Sequence, residues 1–136
     1  MKTTSGFTLV ELVITIAIVI VLSVVSVPIY RGNVEKAKMS EGYALIGSIL
    51  SAQKAYISEY RNFYYITTFT SYAQEMGVDA RGNKYFTTYS INLGEDNDPK
   101  CTFKLSVSKP EELATNGKNN LVLLYNRTAG STFSEE

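Results

Sequence analysis

The chain has 136 residues, with 13 basic and 13 acidic side chains, one Cys and no His or Trp. Without His it can form no His-based catalytic triad or His-ligated zinc site, and one Cys gives neither an internal disulfide nor a cysteine-rich metal cluster. A net charge of zero without a long basic run gives no electrostatic basis for nucleic-acid binding, so no nucleic-acid partner is expected. No cofactor or metal is expected either.

The charges are distributed unevenly along the chain. Residues 1–30 contain only Lys2 and Glu11, which leaves 24 of the 26 charged side chains for the other 106 residues. The scarcity of charge in residues 1–30 therefore predicts that this region is surrounded by lipid or by a dry protein interior. The second region has the composition of a soluble domain.

An uncharged run of nineteen residues extends from Leu12 to Tyr30. A helix from Phe7 to Val27 would be roughly 31 Å long, about the thickness of the hydrocarbon core of a bilayer. The run is much longer than a strand, so it predicts a membrane-spanning helix. Pro28, near the end of the run, lacks a backbone N–H and predicts a kink or a local opening of this helix.

Three interpretations fit this segment: a conventional cleaved secretory signal, a plain membrane anchor, and a more specific assembly element. A conventional signal ends in a small-x-small cleavage site, and no convincing site follows the run. Glu11 separates the other two, because burying an unpaired carboxylate in an apolar helix is costly. Glu11 either stays wet at the membrane interface or has a dedicated cationic partner.

The segment Gly6-Phe7-Thr8-Leu9-Val10-Glu11-Leu12 follows a short leader that contains Lys2 and precedes the apolar run. It resembles the prepilin signature of type IV pilins and type II secretion pseudopilins, and the resemblance covers about the first third of the chain. It implies a leader peptide of residues 1–6, cleavage between Gly6 and Phe7 by a membrane-embedded prepilin peptidase, and N-methylation of Phe7. It also implies that Glu11 pairs with the Phe7 amine of a neighbouring subunit and sets the register of a filament.

The resemblance implies a structural subunit and not an enzyme, so no catalytic residue is assigned. It implies the major pilin of a type IV pilus, which starts as a single-pass protein of the bacterial inner membrane and ends in an extracellular filament. Its partners would be copies of itself, the prepilin peptidase, and the platform protein and ATPase of a pilus assembly machine. A type II secretion pseudopilin, a minor pilin and a monomeric membrane-anchored binding domain are the alternatives.

The family often has a second helix-weakening position ahead of the proline. Many members carry a Gly in the middle of the apolar helix, where this chain has Ile20. The helix is therefore expected to change at Pro28, and whether it opens as far back as Ile20 is left open.

From residue 31 the pattern becomes amphipathic, with apolar residues at three- and four-residue spacing and one polar break at Glu41. It predicts that one helix continues to Tyr60, with its second half against a soluble domain. The chain is thus divided into a leader (1–6), a membrane-spanning or filament-core helix (7–30) and a globular domain (31–136). The stripe consists of Tyr30, Val34, Ala37, Leu45, Ile49, Ala52, Tyr56 and Tyr60.

The remaining residues of the globular domain predict an antiparallel sheet. Residues 61–84 are interpreted as a connecting loop, with a short helix from Ser71 to Gly77 that has a capping-box start and a glycine stop. Alternating apolar residues predict a strand at 101–107, and two further strands are predicted at 85–93 and 121–125. Residues 128–136 are interpreted as a loose tail or a filament-surface segment. The predicted fold class is α+β, with the long helix packed against a C-terminal antiparallel sheet spanning 85–127.

Three features of the domain have both a structural and a functional interpretation. Cys101 is expected to be a small buried residue, with an intermolecular disulfide as the alternative. The acidic cluster Glu95-Asp96-Asn97-Asp98 does not match an EF-hand calcium loop and is expected to be a solvated turn. Asn126-Arg127-Thr128 fits a glycosylation sequon, a triplet that is common by chance.

Aromatic residues cluster near the end of the predicted helix. Their helical spacing predicts a core stripe that packs under the sheet. Stacking on sugars and aromatic stacking along a conductive filament are alternatives that the sequence does not favour. The cluster consists of Tyr56, Tyr60, Phe63, Tyr64 and Tyr65.

Overall fold

The computed structural model describes residues 6–94, 102–114 and 118–136. The chain forms two compact units, one up to Lys36 and one from Ala37 to Glu136. Helix α1 (Leu9–Tyr60) contributes residues to both units, and its end at Tyr60 agrees with the prediction.

The apolar part of α1 is exposed along its whole length in the described structure. Every residue from Gly6 to Arg31 is exposed. Among the described residues, α1 is the one helix that is long and apolar enough to cross a membrane. The helix passes through Pro28 without interruption, so the proline ring is accommodated without a break, and a bend at Pro28 stays a prediction.

The second unit is built on strands that follow α1 in the chain. They are β1 (Ile66–Thr70), β2 (Tyr72–Ala73), β3 (Val78–Asp79), β4 (Tyr89–Leu93), β5 (Thr102–Ser108), β6 (Asn120–Asn126) and β7 (Gly130–Glu135). Five of them form an antiparallel sheet in the order β1-β4-β5-β6-β7, while β2 and β3 pair as a separate hairpin. A short 3-10 helix, Glu111–Leu113, lies between β5 and β6.

The register of the sheet places a row of large apolar side chains towards α1. In the central pair of strands Leu105 lies opposite Leu123, and both side chains are fully buried. They belong to one core cluster that also contains three residues of α1, namely Leu45, Ile46 and Ile49. The α+β architecture predicted from the sequence is therefore confirmed.

The three predicted strands are present with shifted boundaries. The strand predicted at 85–93 starts only at Tyr89, because Tyr85 and Phe86 donate their backbone N–H groups to a side chain of α1 and not to a neighbouring strand. The strand predicted at 121–125 is longer by one residue at each end. The strand predicted at 101–107 is described from Thr102, because Cys101 lies outside the described residues.

The predicted short helix from Ser71 to Gly77 is wrong. These residues form β2 and a turn that leads into β3, and the Ser71 carbonyl accepts the N–H of Ala80 at 2.7 Å. Ala73 and Val78 are buried in the core cluster, so tertiary packing overrides the local capping pattern. The segment 61–84, interpreted as a connecting loop, thus contains β1, β2 and β3.

The predicted loose tail is also wrong over most of its length. Within 128–136 the strand β7 pairs with β6, from Gly130 opposite Asn126 to Glu135 opposite Leu121. This strand contains small polar residues that carry little hydrophobic signal, and it lies at one edge of the sheet. Pairing with β6, and not its own composition, orders the segment.

Side chains fix both ends of β7. At its start the Oδ1 atom of Asn126 accepts the backbone N–H groups of Thr128 at 2.8 Å and Ala129 at 3.2 Å. At its end the buried ammonium of Lys109 pairs with the Glu135 carboxylate at 2.9 Å. Loss of the carboxylate would leave the buried charge of Lys109 unpaired, which strongly destabilises a folded protein. This ion pair therefore holds the last strand in place.

Candidate functional site

The residues that resemble a processing signature lie at the start of α1. Gly6 and Phe7 precede the helix and are exposed, and the Phe7 side chain is 82% exposed. No atom within 4 Å would meet a Cβ added at Gly6. The Gly6–Phe7 peptide bond therefore lies in non-helical chain that a peptidase can reach.

Thr8 and Glu11 form a capping box at the first turn. The Thr8 carbonyl accepts the N–H of Leu12 at 3.2 Å, which makes Thr8 the N-cap residue. The Thr8 hydroxyl accepts the backbone N–H of Glu11 at 3.2 Å, and the Glu11 Oε2 atom accepts the Thr8 backbone N–H at 2.9 Å. The hydroxyl of Thr8 also donates to the same carboxylate oxygen at 2.8 Å. This box fixes the direction of the Glu11 side chain, back towards the chain start.

No basic side chain lies near Glu11 along its own helix. The next basic residue after Lys2 is Arg31, which follows Glu11 by twenty residues. Twenty helical residues correspond to about 30 Å. Over the described part of α1, no basic side chain is therefore within reach of Glu11.

The Thr and Ser side chains of the apolar segment are satisfied within the helix. Thr15, Ser23 and Ser26 donate their hydroxyls to the carbonyls of Leu12, Val19 and Leu22 at 2.7 to 2.8 Å. Such internal bonds allow a helix to enter lipid or a packed bundle without unpaired hydroxyl donors. Glu11 is the one charged side chain within this surface.

A helix that is apolar around its whole circumference requires cover on every side. The exposed residues of α1 from Leu9 to Ile29 include Leu, Val and Ile side chains in every turn. Lipid chains can supply this cover, and so can parallel copies of the same helix. The apolar surface of α1 can therefore insert into a membrane, and it can also pack against other copies of the helix.

The aromatic cluster lies in the second unit and is only partly a core stripe. Phe63 is buried, and it contacts Phe103 at a ring-centroid distance of 4.9 Å. The helix ends at Tyr60, which is 56% exposed and stacks on Tyr56 at 4.4 Å, so helical spacing does not extend to residues 63–65. The packing prediction is confirmed for Phe63 and wrong for Tyr60.

Tyr64 is held by two elements of the second unit. Its hydroxyl donates to Glu75 at 2.7 Å, and this hydrogen bond is the main reason that the pKa of Tyr64 is raised to about 12. Its backbone N–H and carbonyl both bind the side chain of Gln53, at 2.9 Å and 2.6 Å. These contacts give Tyr64 a structural role.

Two polar residues of α1 fix loops of the second unit, and neither role was expected from the sequence. Gln53 is fully buried and binds the backbone of Tyr64. Glu41, noted only as a break in the apolar stripe, accepts the backbone N–H groups of Lys84, Tyr85 and Phe86. The available signal was a polar residue on the buried face of an amphipathic helix.

The remaining candidate sites give no further functional geometry. Cys101 and the acidic cluster Glu95-Asp96-Asn97-Asp98 lie outside the described residues. Over the parts of the chain that are described, no group of three or more Cys, Asp or Glu residues could hold a metal ion. The sequon residue Asn126 lies at the hairpin between β6 and β7, where its Oδ1 atom accepts two backbone N–H groups.

A family model supports the interpretation of the N-terminal segment. Residues 1–27 match the prokaryotic N-terminal methylation motif. This match covers Gly6 and Phe7, which precede α1, and the capping-box residues Thr8 and Glu11.

Two curated proteins are similar to the chain. The type IV major pilin protein PilA of Myxococcus xanthus is 31% identical over 91 residues, which cover 66% of this chain and 39% of that protein. The fimbrial protein EcpC of Eikenella corrodens is 44% identical over 55 residues, which cover 40% of this chain and 33% of that protein. Neither name is that of an enzyme, and the chain spans well under half the length of these relatives. No solved structure matches the chain.

Proposed function

Because the chain is a type IV pilin-like protein with an N-terminal methylation motif, we propose that it is the major structural subunit of a type IV pilus. A prepilin peptidase cuts the exposed bond between Gly6 and Phe7 and N-methylates Phe7. The processed subunit stays in the inner membrane through α1 and then polymerises with copies of itself, through the action of an assembly platform and ATPase, into an extracellular filament.

The observation that carries this proposal is the single charge in an otherwise uncovered apolar helix. All residues of α1 up to Arg31 are exposed, and Glu11 is the one charged side chain among them until Arg31 itself. Cleavage creates a cationic amine at Phe7, four residues before Glu11. A plain anchor needs neither group, whereas a bundle of identical helices can use the pair to select one axial register.

The cohesion and the register of the filament then have different origins. The apolar side chains of α1 supply non-directional attraction, roughly 25 cal/mol for each Å² that is buried. A subunit that docks one turn out of place buries nearly the same apolar area, but it leaves Glu11 without a cation. The energetic difference between correct and incorrect docking therefore resides mainly in the Glu11 to Phe7 pair.

Shearing of cells and analysis of the released filaments tests the proposal. We expect this chain to be the most abundant protein of the sheared fraction, with a mass that begins at a methylated Phe7. Low abundance in filaments would indicate a minor pilin, and confinement to the cell envelope in short assemblies would indicate a pseudopilin. A processed chain that stays monomeric in the membrane would contradict the filament function altogether.

A further inference from the structure

The last strand of the sheet has a regular free edge. Over the parts of the chain that are described, no strand pairs with β7 on the side away from β6. Strand β7 keeps an unbroken register with β6 from Gly130 to Glu135, whereas β1, at the opposite edge, has a register shift between Ile66 and Thr70. An irregular edge hinders the addition of another strand, and a regular edge can accept one. The edge of β7 is therefore the one suited to strand addition.

The hydrogen bonds between β6 and β7 determine which backbone groups face this edge. Asn120 and Glu136 exchange both of their backbone hydrogen bonds, at 2.7 and 3.1 Å. In an antiparallel ladder such pairs alternate with pairs whose N–H and C=O groups point the other way. Counted back from Glu136, the outward-facing residues are Ser131, Phe133 and Glu135. An extended chain presents donors and acceptors at the matching spacing, so the edge fits a further strand.

Two aromatic rings lie beside the same edge. Phe133 is 54% exposed and Tyr43 of α1 is 47% exposed, and their ring centroids are 5.8 Å apart in an edge-to-face arrangement. Phe133 lies opposite the buried Leu123, so its side chain is on the face of the sheet that packs against α1. A strand added to β7 would cover these rings, and the buried apolar area would add to the backbone hydrogen bonds.

Strand β7 is complementary to a second copy of itself. When two copies run antiparallel and are centred on Phe133, the outward N–H and C=O groups of Ser131 meet those of Glu135 in the second copy, and Phe133 meets Phe133. Thr132 then lies opposite Ser134 of the second copy. Small hydroxyl side chains and a cross-strand aromatic pair are both favourable neighbours in an antiparallel sheet.

The charges near the edge also favour this partner. Glu135 and Glu136 form ion pairs with Lys109 and Lys104 of their own chain, so their charges are balanced before a second copy arrives. The antiparallel arrangement keeps the acids of the two copies at opposite ends of the paired strands. Arg127, exposed in the turn before β7, lies at the end where the acids of the second copy arrive.

We propose that the free edge of β7 binds the same edge of a second copy of the chain, in an antiparallel pair centred on Phe133. The two five-stranded sheets then form one continuous sheet, with Phe133 and Tyr43 of both copies on the same face. A two-fold contact closes with two copies and cannot by itself extend a filament. The pair therefore goes beyond the proposed function and does not depend on it.

Disulfide trapping of the full chain in mild detergent tests this register. Thr132→Cys and Ser134→Cys are made in separate chains from which Cys101→Ser removes the native cysteine, and the two chains are mixed in equal amounts and oxidised. In the proposed pair the Cα atoms of these two positions are about 4.5 Å apart across the contact, within the range of a disulfide. Like positions are diagonal neighbours, about 7–8 Å apart, which a disulfide does not span. Intact-mass spectrometry distinguishes the mixed dimer from the two like dimers.

We expect at least about fivefold more mixed dimer than both like dimers together, because only the mixed pair has disulfide geometry. Random collisions would give equal amounts of mixed and like dimers, and that result would overturn the proposal. An excess of like dimers would indicate a parallel contact and would overturn it as well, as would the absence of any dimer.

Two further variants, each introduced into both cysteine-bearing chains, test the contacts themselves. Ser131→Pro removes an outward N–H but no bond to β6, so the domain should fold, and the yield of mixed dimer should fall at least about tenfold because both copies lose the bond. Phe133→Lys places two ammonium groups directly opposite each other and should have the same effect. The near-UV signal of the tyrosines verifies folding. A yield of mixed dimer that neither variant lowers would contradict the edge contact.

Discussion

Thr8 and Glu11 satisfy each other at the start of α1, because each accepts the other's backbone N–H through its side chain. The Glu11 carboxylate is therefore not bare in the isolated subunit, since the hydroxyl of Thr8 also donates to it at 2.8 Å. Pairing with a neighbouring amine must add to these hydrogen bonds or replace them. The box aims the carboxylate at the end of the helix where processing would create an amine.

Substitutions at Glu11 and Thr8 separate the charge from the cap. Glu11→Gln keeps an acceptor for the Thr8 N–H but removes the charge, so we expect normal membrane insertion and loss of filament assembly. Thr8→Val keeps the charge but removes both hydrogen bonds of the hydroxyl, which should weaken the helix start by about 1 kcal/mol. Sheared filaments and membrane fractions of the two variants, quantified by immunoblot, provide the measurement.

The filament yields of the two variants, compared with each other, show whether the charge or the cap of Glu11 controls assembly. Assembly by Thr8→Val at a reduced level, with none by Glu11→Gln, supports selection of register by charge. Wild-type filament yield from Glu11→Gln would refute that mechanism, because the variant carries no charge for an amine to recognise.

The stability of the second unit should depend on pH through Glu41. Burial alone would raise the pKa of Glu41, but the N–H groups of Phe86, Tyr85 and Lys84 outweigh it and hold the pKa below its usual value of 4.5. Because the pKa is lower in the folded state, the stabilisation is complete above the unfolded pKa and disappears as the pH falls through the folded value. We therefore expect a loss of stability below about pH 4.5.

Glu41→Ala isolates this contribution. At neutral pH the variant leaves three backbone N–H groups without their carboxylate acceptor, which should cost about 2–3 kcal/mol. Thermal unfolding of the full chain in mild detergent, followed by the near-UV signal of its tyrosines, measures the cost at several pH values. Glu59→Ala, at an exposed position of the same helix, should change little. A deficit that stays constant through acidic pH would contradict the role assigned to the Glu41 charge.

The buried amide of Gln53 should be indispensable for the chain segment after α1. Gln53→Leu preserves volume but leaves the N–H and the carbonyl of Tyr64 without their partner, at a cost of about 2–4 kcal/mol. The exposed residue Gln74 offers a matched control, since Gln74→Leu removes the same group at the surface and should stay within roughly 0.5 kcal/mol of wild type. Equal unfolding midpoints for the two variants would show that the Gln53 bonds contribute nothing.

One capping pattern occurs twice in the chain and has a different outcome each time. The same motif, a Ser or Thr followed three residues later by Glu or Gln, occurs at Thr8 to Glu11 and at Ser71 to Gln74. The first is a real helix start, because a long apolar helix follows it. The second is part of a hairpin, because Ala73 and Val78 are drawn into the core and only four residues separate β2 from β3. A local motif therefore decides structure only when the packing beyond it agrees.

Long-range partners explain most of what the sequence did not predict. The extent of α1 followed from its apolar pattern, and Leu45 and Ile49 were correctly placed on its buried face. The pairing of β7 with β6, and the bonds from Glu41 to a loop more than forty residues away, depend on chain segments that no local pattern connects. Residues of the N-terminal signature were recognisable because they are contiguous in the sequence, from Gly6 to Leu12.

Two glycines of α1 should respond to the same substitution with opposite signs. A Cβ added at Gly42 would lie 2.8 Å from the Cε1 atom of Phe86, whereas one added at Gly47 would meet no atom within 4 Å. Phe86 is fully buried, so its ring has little freedom to move away. Gly42→Ala should therefore destabilise the domain by about 1–3 kcal/mol. Gly47→Ala, in the open interior of a helix, should stabilise it by about 0.5–1 kcal/mol.

A third variant identifies Phe86 as the cause. Phe86→Leu creates a cavity and should destabilise the domain by itself, but it also makes room for the methyl group at position 42. Combined with Gly42→Ala, it should therefore cost less than the sum of the two single changes, with a coupling of at least about 0.5 kcal/mol. Additive changes in the free energy of unfolding would mean that the helix, and not the Phe86 ring, moves to accommodate the methyl group. The close contact with Phe86 would then not be the reason that position 42 requires glycine.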